Sequence, residues 1–119
     1  MRKEAVIAGA GKVLSGNLFS ALPSELLEEE FSTLLSAPNV RIERIVSRGN
    51  ASPPGFWYDE SEAEWVILLA GSAGLLIEGE EAPRRLDPGD YLHLPAHTRH
   101  RVAFTDPQRP TVWLAVYHR

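Results

Sequence analysis

Two histidines three positions apart, His97 and His100, and two upstream carboxylates, Asp59 and Glu64, are the side chains of this chain best suited to chemistry. Imidazole changes charge near neutrality and is the commonest metal ligand, so it serves as ligand, acid or base. A His-x-x-His pair in a loop can bring both rings to one ion. Glu64 opens the run Glu64-Trp65-Val66-Ile67-Leu68-Leu69-Ala70. On a strand it shares a face with Val66, Leu68 and Ala70. A carboxylate at the start of an apolar face is costly to bury without a partner. A metal ion would satisfy it, and so would a cationic side chain such as Arg44 or Arg101. Phe56, Trp57 and Tyr58 stand just upstream. Such a cluster either lines a pocket, stacking on a ring or sugar, or packs the end of the fold. Arg44 lies two residues from Ile42 on one strand face. Facing inward it would bind a substrate carboxylate; facing outward it would be solvated.

Other chemistries are poorly provided for. There is no cysteine, which removes disulfides, thiolate nucleophiles and cysteine metal sites. Ala8-Gly9-Ala10-Gly11-Lys12 lacks the glycine spacing of a phosphate loop, and no Ser or Thr follows the lysine. Ser15 and Ser20 have no evident His and Asp partners for a hydrolase triad. The net charge is −4 and the basic residues are scattered, which argues against nucleic acid as a partner. No stretch approaches the roughly 20 apolar residues that span a bilayer. The apolar run after Met1-Arg2-Lys3 is too short for a signal peptide. The expected setting is the cytoplasm, with no membrane partner.

The elements that must position these residues are mostly strands. The 119 residues suit one domain. Leu27, Phe31, Leu34 and Leu35 recur at helical spacing, so a short helix is expected over Pro23 to Leu35, closed by Ala37-Pro38-Asn39. From Val40 the pattern changes. Strands are expected at Val40–Val46, Glu64–Ala70, Gly74–Glu78, Tyr91–Leu94, Arg101–Phe104 and Thr111–Tyr117, with Gly79-Glu80-Glu81 and Asp87-Pro88-Gly89-Asp90 as turns. Many short strands punctuated by Gly and Pro make an all-β sandwich or closed barrel. Residues 1–39 would form an extension bearing the helix, and residues 40–119 the barrel.

Two segments resemble the paired motifs of the cupin family. In the second motif Gly89, Pro95 and His100 fall at the family's spacing. His97 stands where a second glycine is usual, and Phe104 where an asparagine is usual. In the first motif Glu64 and Gly71 have the right separation, but both upstream histidines are missing. One alignment puts Trp57 and Asp59 in their places, the other Tyr58 and Glu60. The first is preferred because Asp59 can still act as an oxygen ligand.

The resemblance implies a single cupin-type β-barrel, the double-stranded β-helix or jelly roll. It makes His100 and Glu64 metal ligands; otherwise His100 is a barrel histidine bonded to a carboxylate. Asp59 and His97 would complete a mixed oxygen and nitrogen site for iron, manganese, nickel or zinc. Trp57, Tyr58 and Arg44 would shape the substrate pocket. The expected protein is thus a divalent-metal-dependent enzyme on a small organic molecule, of dioxygenase, isomerase or lyase type. The second possibility is a non-catalytic small-molecule binder or sensor without metal. A homodimer is expected, because Trp65, Ile67 and Leu69 leave a second apolar face on one strand, which either a second copy or the N-terminal segment would cover.

Overall fold

The computed structural model of the chain describes residues 11–119. Among them the fold is all-β. The strands are β1 (Glu30–Ala37), β2 (Val40–Ser47), β3 (Ala63–Ala70), β4 (Ala73–Ile77), β5 (Arg84–Leu86), β6 (Tyr91–Leu94), β7 (His100–Thr105) and β8 (Thr111–His118). They form a five-stranded sheet in the order β1-β2-β8-β3-β6 and a three-stranded sheet in the order β5-β4-β7. Strand pairing is antiparallel throughout.

The core lies between the sheets. Ile45, Val66, Leu68, Trp113, Ala115 and Tyr117 come from the larger sheet, and Ala73, Leu75 and Val102 from the smaller; Leu86 of β5 closes it. Alternation decides who enters. On β3, Glu64, Val66 and Leu68 are buried while Trp65, Ile67 and Leu69 are only half-buried on the other face. The same period of two puts Trp113, Ala115 and Tyr117 of β8 inside.

The helix expected over residues 23–35 is not formed. The chain is irregular up to Glu29 and then enters β1. Pro38-Asn39 does not end a helix; it is the turn between β1 and β2, joining the pair Ala37 and Val40. The reason lies in a bulge. The β1–β2 register shifts between Thr33 and Leu35, so side-chain alternation is interrupted and the apolar spacing imitates a helix. Leu27, read as part of the apolar face, is fully exposed. The β-hairpin also joins the two sides of residue 39, so the sheet begins ahead of the expected start of the barrel.

Two glycines of the motifs do conformational work. Gly71 (φ 82°) and Gly89 (φ 95°) both take left-handed backbone, where a side chain is strained. Gly71 is also crowded: a Cβ there would lie 2.7 Å from Thr111 Cα and 2.8 Å from the Pro110 carbonyl oxygen. Gly89 donates its N–H to the Leu68 carbonyl at 2.8 Å, tying the β5–β6 turn to the strand that carries Glu64.

Candidate active site

Glu64 and His100 meet inside the barrel. Glu64 projects inward from β3 and His100 from the start of β7. Both are buried, at 7% and 6% exposure, and His100 Nε2 lies 3.5 Å from Glu64 Oε1. The other ring nitrogen, Nδ1, is 2.8 Å from the Thr98 carbonyl oxygen. A carbonyl only accepts, so Nδ1 carries a hydrogen and Nε2 is the atom that gains or loses a proton. Burial opposes charge on His100. The Glu64 hydrogen bond, the Thr98 carbonyl and the negative charges of Glu64 and Glu60 outweigh it, and its pKa is raised above 6.5.

Tyr58 is locked beside this pair. Its N–H donates to the His100 carbonyl at 2.7 Å, and its own carbonyl accepts from His100 N–H at 3.1 Å. The Tyr58 and His100 rings stack with centroids 5.4 Å apart. The Tyr58 hydroxyl donates to Glu29 Oε1 at 3.3 Å. The Ser47 hydroxyl donates to Glu29 Oε2 at 2.5 Å while accepting from Trp113 Nε1–H at 3.2 Å. Glu29 therefore reaches the barrel from the segment ahead of β1. Burial raises its pKa against the lowering effect of the Ser47 and Tyr58 hydrogen bonds. Burial and then the Glu29 charge hold the Tyr58 phenol above the ordinary tyrosine range.

These groups share one narrow cavity that is partly open to solvent. Glu29, Glu64 and His100 are its titratable side chains besides the phenols of Tyr58 and Tyr117; Phe31, Ile45, Val66, Leu75, Val102 and Trp113 complete the wall. Among the described residues no lysine or arginine lines it.

The other residues singled out from the sequence stand elsewhere. Asp59 and His97 pair with each other, Oδ1 to Nδ1 at 2.8 Å, with side chains 46% and 68% exposed. Strand-like alternation through residues 57–59 turns Tyr58 inward and sends Trp57 and Asp59 out. Trp57 meets the Arg99 guanidinium, 5.8 Å from its ring centroid. Arg44 is buried outside the barrel. It donates to the Leu18 and Ser20 carbonyls at 3.3 and 2.7 Å and lies 3.6 Å from Glu30, fastening the segment ahead of β1 to β2. His97 has φ 62°, so it keeps the left-handed backbone of the glycine usual there. Phe104, in place of the usual asparagine, pairs with Gly74 and covers it with its ring.

Reasoning from sequence missed Glu29, Phe31, Trp113 and Tyr117. Period-two alternation on β8 was a usable signal for Trp113 and Tyr117. Nothing in the run Glu28-Glu29-Glu30 distinguishes the residue that turns inward.

The metal centre that the family resemblance implies would need Asp59, Glu64, His97 and His100 at one point. His100 Nε2 and Glu64 Oε1 converge, which suits an ion. The other two expected ligands do not join them, because Asp59 and His97 are paired at the surface. Among the described residues no three His, Asp or Glu side chains group so as to hold an ion. The four-ligand set does not fit.

Comparison with known proteins agrees with the architecture. The Cupin domain family model matches residues 45–117, more than half of the chain. No curated protein matches. A solved structure from Ralstonia eutropha JMP134, named as a proposed mannose-6-phosphate isomerase, is 56% identical, with a TM-score of 0.85 over 87% of this chain and 96% of that one. An RmlC-like cupin with a double-stranded β-helix fold from Methanocaldococcus jannaschii is 17% identical, with a TM-score of 0.67 over 93% of each chain. The polyketide cyclase RemF from Streptomyces resistomycificus is 18% identical, with a TM-score of 0.66 over 77% of this chain and 66% of that one. The last two are alike in fold alone. By its sheets, its motif glycines and the matched family model, the chain belongs to the cupin family.

Proposed function

We propose that the barrel binds a small organic molecule, mostly apolar with one polar oxygen or nitrogen, and that Glu64 and His100 hold and move a proton at that group. The observation that carries this is the buried pair itself, Nε2 to Oε1 at 3.5 Å, facing an aromatic cavity. Protonated His100, its Nε2 proton shared with Glu64, is the acid of the pair; once neutral, its Nε2 lone pair is the base. Glu64 stabilises the charged form, and the Thr98 carbonyl fixes which nitrogen reacts. Tyr58 and Trp113 supply flat faces for the ligand. A proton shift within one molecule, as in an isomerisation, is the reaction class this provides. The proposed isomerase from Ralstonia eutropha supports that class.

The phosphorylated substrate in that protein's name suits this cavity poorly. A phosphate dianion would meet the Glu29 and Glu64 carboxylates with no lysine or arginine among the described lining residues. The reading requires no divalent metal, since His100 and Glu64 already satisfy each other. The setting is taken as cytoplasmic, in keeping with a cysteine-free chain whose described residues include no helix long and apolar enough to cross a membrane. A homodimer through the half-buried face of Trp65, Ile67 and Leu69 is consistent with it.

The test is a ligand screen by NMR in D₂O, using neutral aromatic and aliphatic carbonyl compounds. Binding to the wild type with hydrogen–deuterium exchange beside the carbonyl, lost in His100→Asn and Glu64→Gln, is the expected result. Binding without exchange would leave a non-catalytic binder. No binding of uncharged compounds, with binding of sugar phosphates instead, would sink the reading.

A further inference from the structure

The wall of the barrel cavity is rich in two kinds of group and poor in a third. Phe31, Tyr58, Trp113 and Tyr117 bring aromatic rings to it, Glu29 and Glu64 bring carboxylates, and among the described residues no lysine or arginine lines it. Both carboxylates are held in place. Glu29 accepts from the Ser47 and Tyr58 hydroxyls, and the Ser47 oxygen accepts from the Trp113 indole N–H, so two of the rings and this carboxylate form one hydrogen-bonded frame. Glu64 is held by His100, at 3.5 Å. With both carboxylates ionised, the described wall is negative whether His100 is protonated or neutral.

We propose that the group recognised in this cavity is a cationic nitrogen, the ammonium of a small primary amine. This rests on the reading that the barrel binds a small organic molecule, and it names that molecule's class. Aromatic faces attract a cation, the more so where water is excluded. Carboxylates add opposite charge and strong hydrogen-bond acceptors. An ammonium group donates up to three hydrogen bonds and accepts none. It therefore suits a wall whose hydroxyl donors are already directed at Glu29 and whose remaining polar atoms are chiefly acceptors. One ring of the wall carries a cation within the fold itself: the Arg41 guanidinium lies 4.2 Å from the Tyr117 centroid. Arg41 is held there by Glu43 and Glu62, at 3.1 and 2.8 Å, and not by the cavity carboxylates. Burial raises the pKa of Glu29 by penalising its charge. A cation beside it offsets that penalty, so uptake of the ammonium group favours the ionised carboxylate. The narrowness of the cavity favours a primary ammonium over a bulkier quaternary one.

The test uses isobutylammonium chloride and isobutanol, which are similar in shape and differ in charge. Each is titrated into the full chain at about 0.15 M salt, where attraction to the surface charge is screened. The Trp113 indole N–H, which donates to Ser47 in the cavity wall, is the NMR reporter. Both compounds should shift its signal, the ammonium compound with at least about tenfold higher affinity, a step that a desolvated cation–aromatic contact is large enough to supply. In Glu29→Gln the preference should fall by about tenfold, toward parity, and Glu64→Gln should reduce it in the same direction. Isobutanol should still bind both variants, which also shows that they fold. Equal affinities in the wild type, tighter binding of isobutanol, or a preference that survives in both variants would overturn the cationic ligand and leave the barrel a binder of small organic molecules. Binding of neither compound would overturn it too, and the carbonyl-compound screen then decides the barrel reading on its own.

Discussion

Replacing Glu64 and His100 singly and together should reveal a coupling energy that depends on pH. At 3.5 Å the charged pair interacts by about 5 kcal/mol at an effective dielectric constant of ~20, an upper bound because desolvation opposes it. The net coupling expected between Glu64→Gln and His100→Asn is about 1–3 kcal/mol. It exists as a charge effect only while His100 is protonated. The folded pKa of His100 lies above its unfolded value of 6.5. Its contribution is therefore fully present below pH 6.5 and is lost as pH rises through the folded value. Urea unfolding of the four proteins at about pH 6 and about pH 9, followed by tryptophan fluorescence, measures the cycle at both ends. Coupling near zero at the lower pH, or equal coupling at both, would refute the assignment of a charged pair.

Gly71→Ala combines left-handed strain of about 1–2 kcal/mol with overlap on Thr111 and Pro110 costing about 1–3 kcal/mol, so a loss of about 2–5 kcal/mol is expected in urea. A loss under about 1 kcal/mol would mean that the strand β3–β4 corner is not held as described. His97→Gly should be more stable than His97→Ala by about 1 kcal/mol, since both lose the Asp59 contact and only glycine relieves φ 62°. Equal thermal midpoints would contradict that strain. In alkaline titration followed by phenolate absorbance, Tyr58→Phe should remove no absorbance in the ordinary tyrosine range, because burial and Glu29 hold that hydroxyl protonated beyond it. Loss of a full phenolate signal in the ordinary range would place Tyr58 in solvent.

The fold was legible where alternation was clean. The period of two on β3 put Glu64 on the face of Val66 and Leu68, and β-rich runs between Gly, Pro and polar segments marked β2, β4, β6, β7 and β8 to within about two residues. β1 was misread because its bulge breaks alternation and long-range pairing with β2 overrides local pattern. β5, three residues long, carries too few side chains to show a period. Within the site, motif spacing located Glu64 and His100, whose positions are set by the ladders that hold β3 and β7. Asp59 and His97 were grouped with them on spacing alone. Spacing does not record direction, and alternation about Tyr58 turns Asp59 to the surface, where it meets His97. Glu29 was illegible because it enters the barrel from a segment with no periodicity, held by Ser47 and Tyr58 from far along the chain.

Side-chain nitrogen NMR of His100 across pH, in the wild type and in Glu64→Gln, bears most directly on the proton-holding pair. The expected result is Nδ1 protonated throughout, Nε2 titrating with a midpoint above 6.5, and a lower midpoint once the Glu64 charge is gone. An Nε2 signal that does not titrate until a chelator is added, or a midpoint indifferent to Glu64, would contradict it and restore a metal to the barrel.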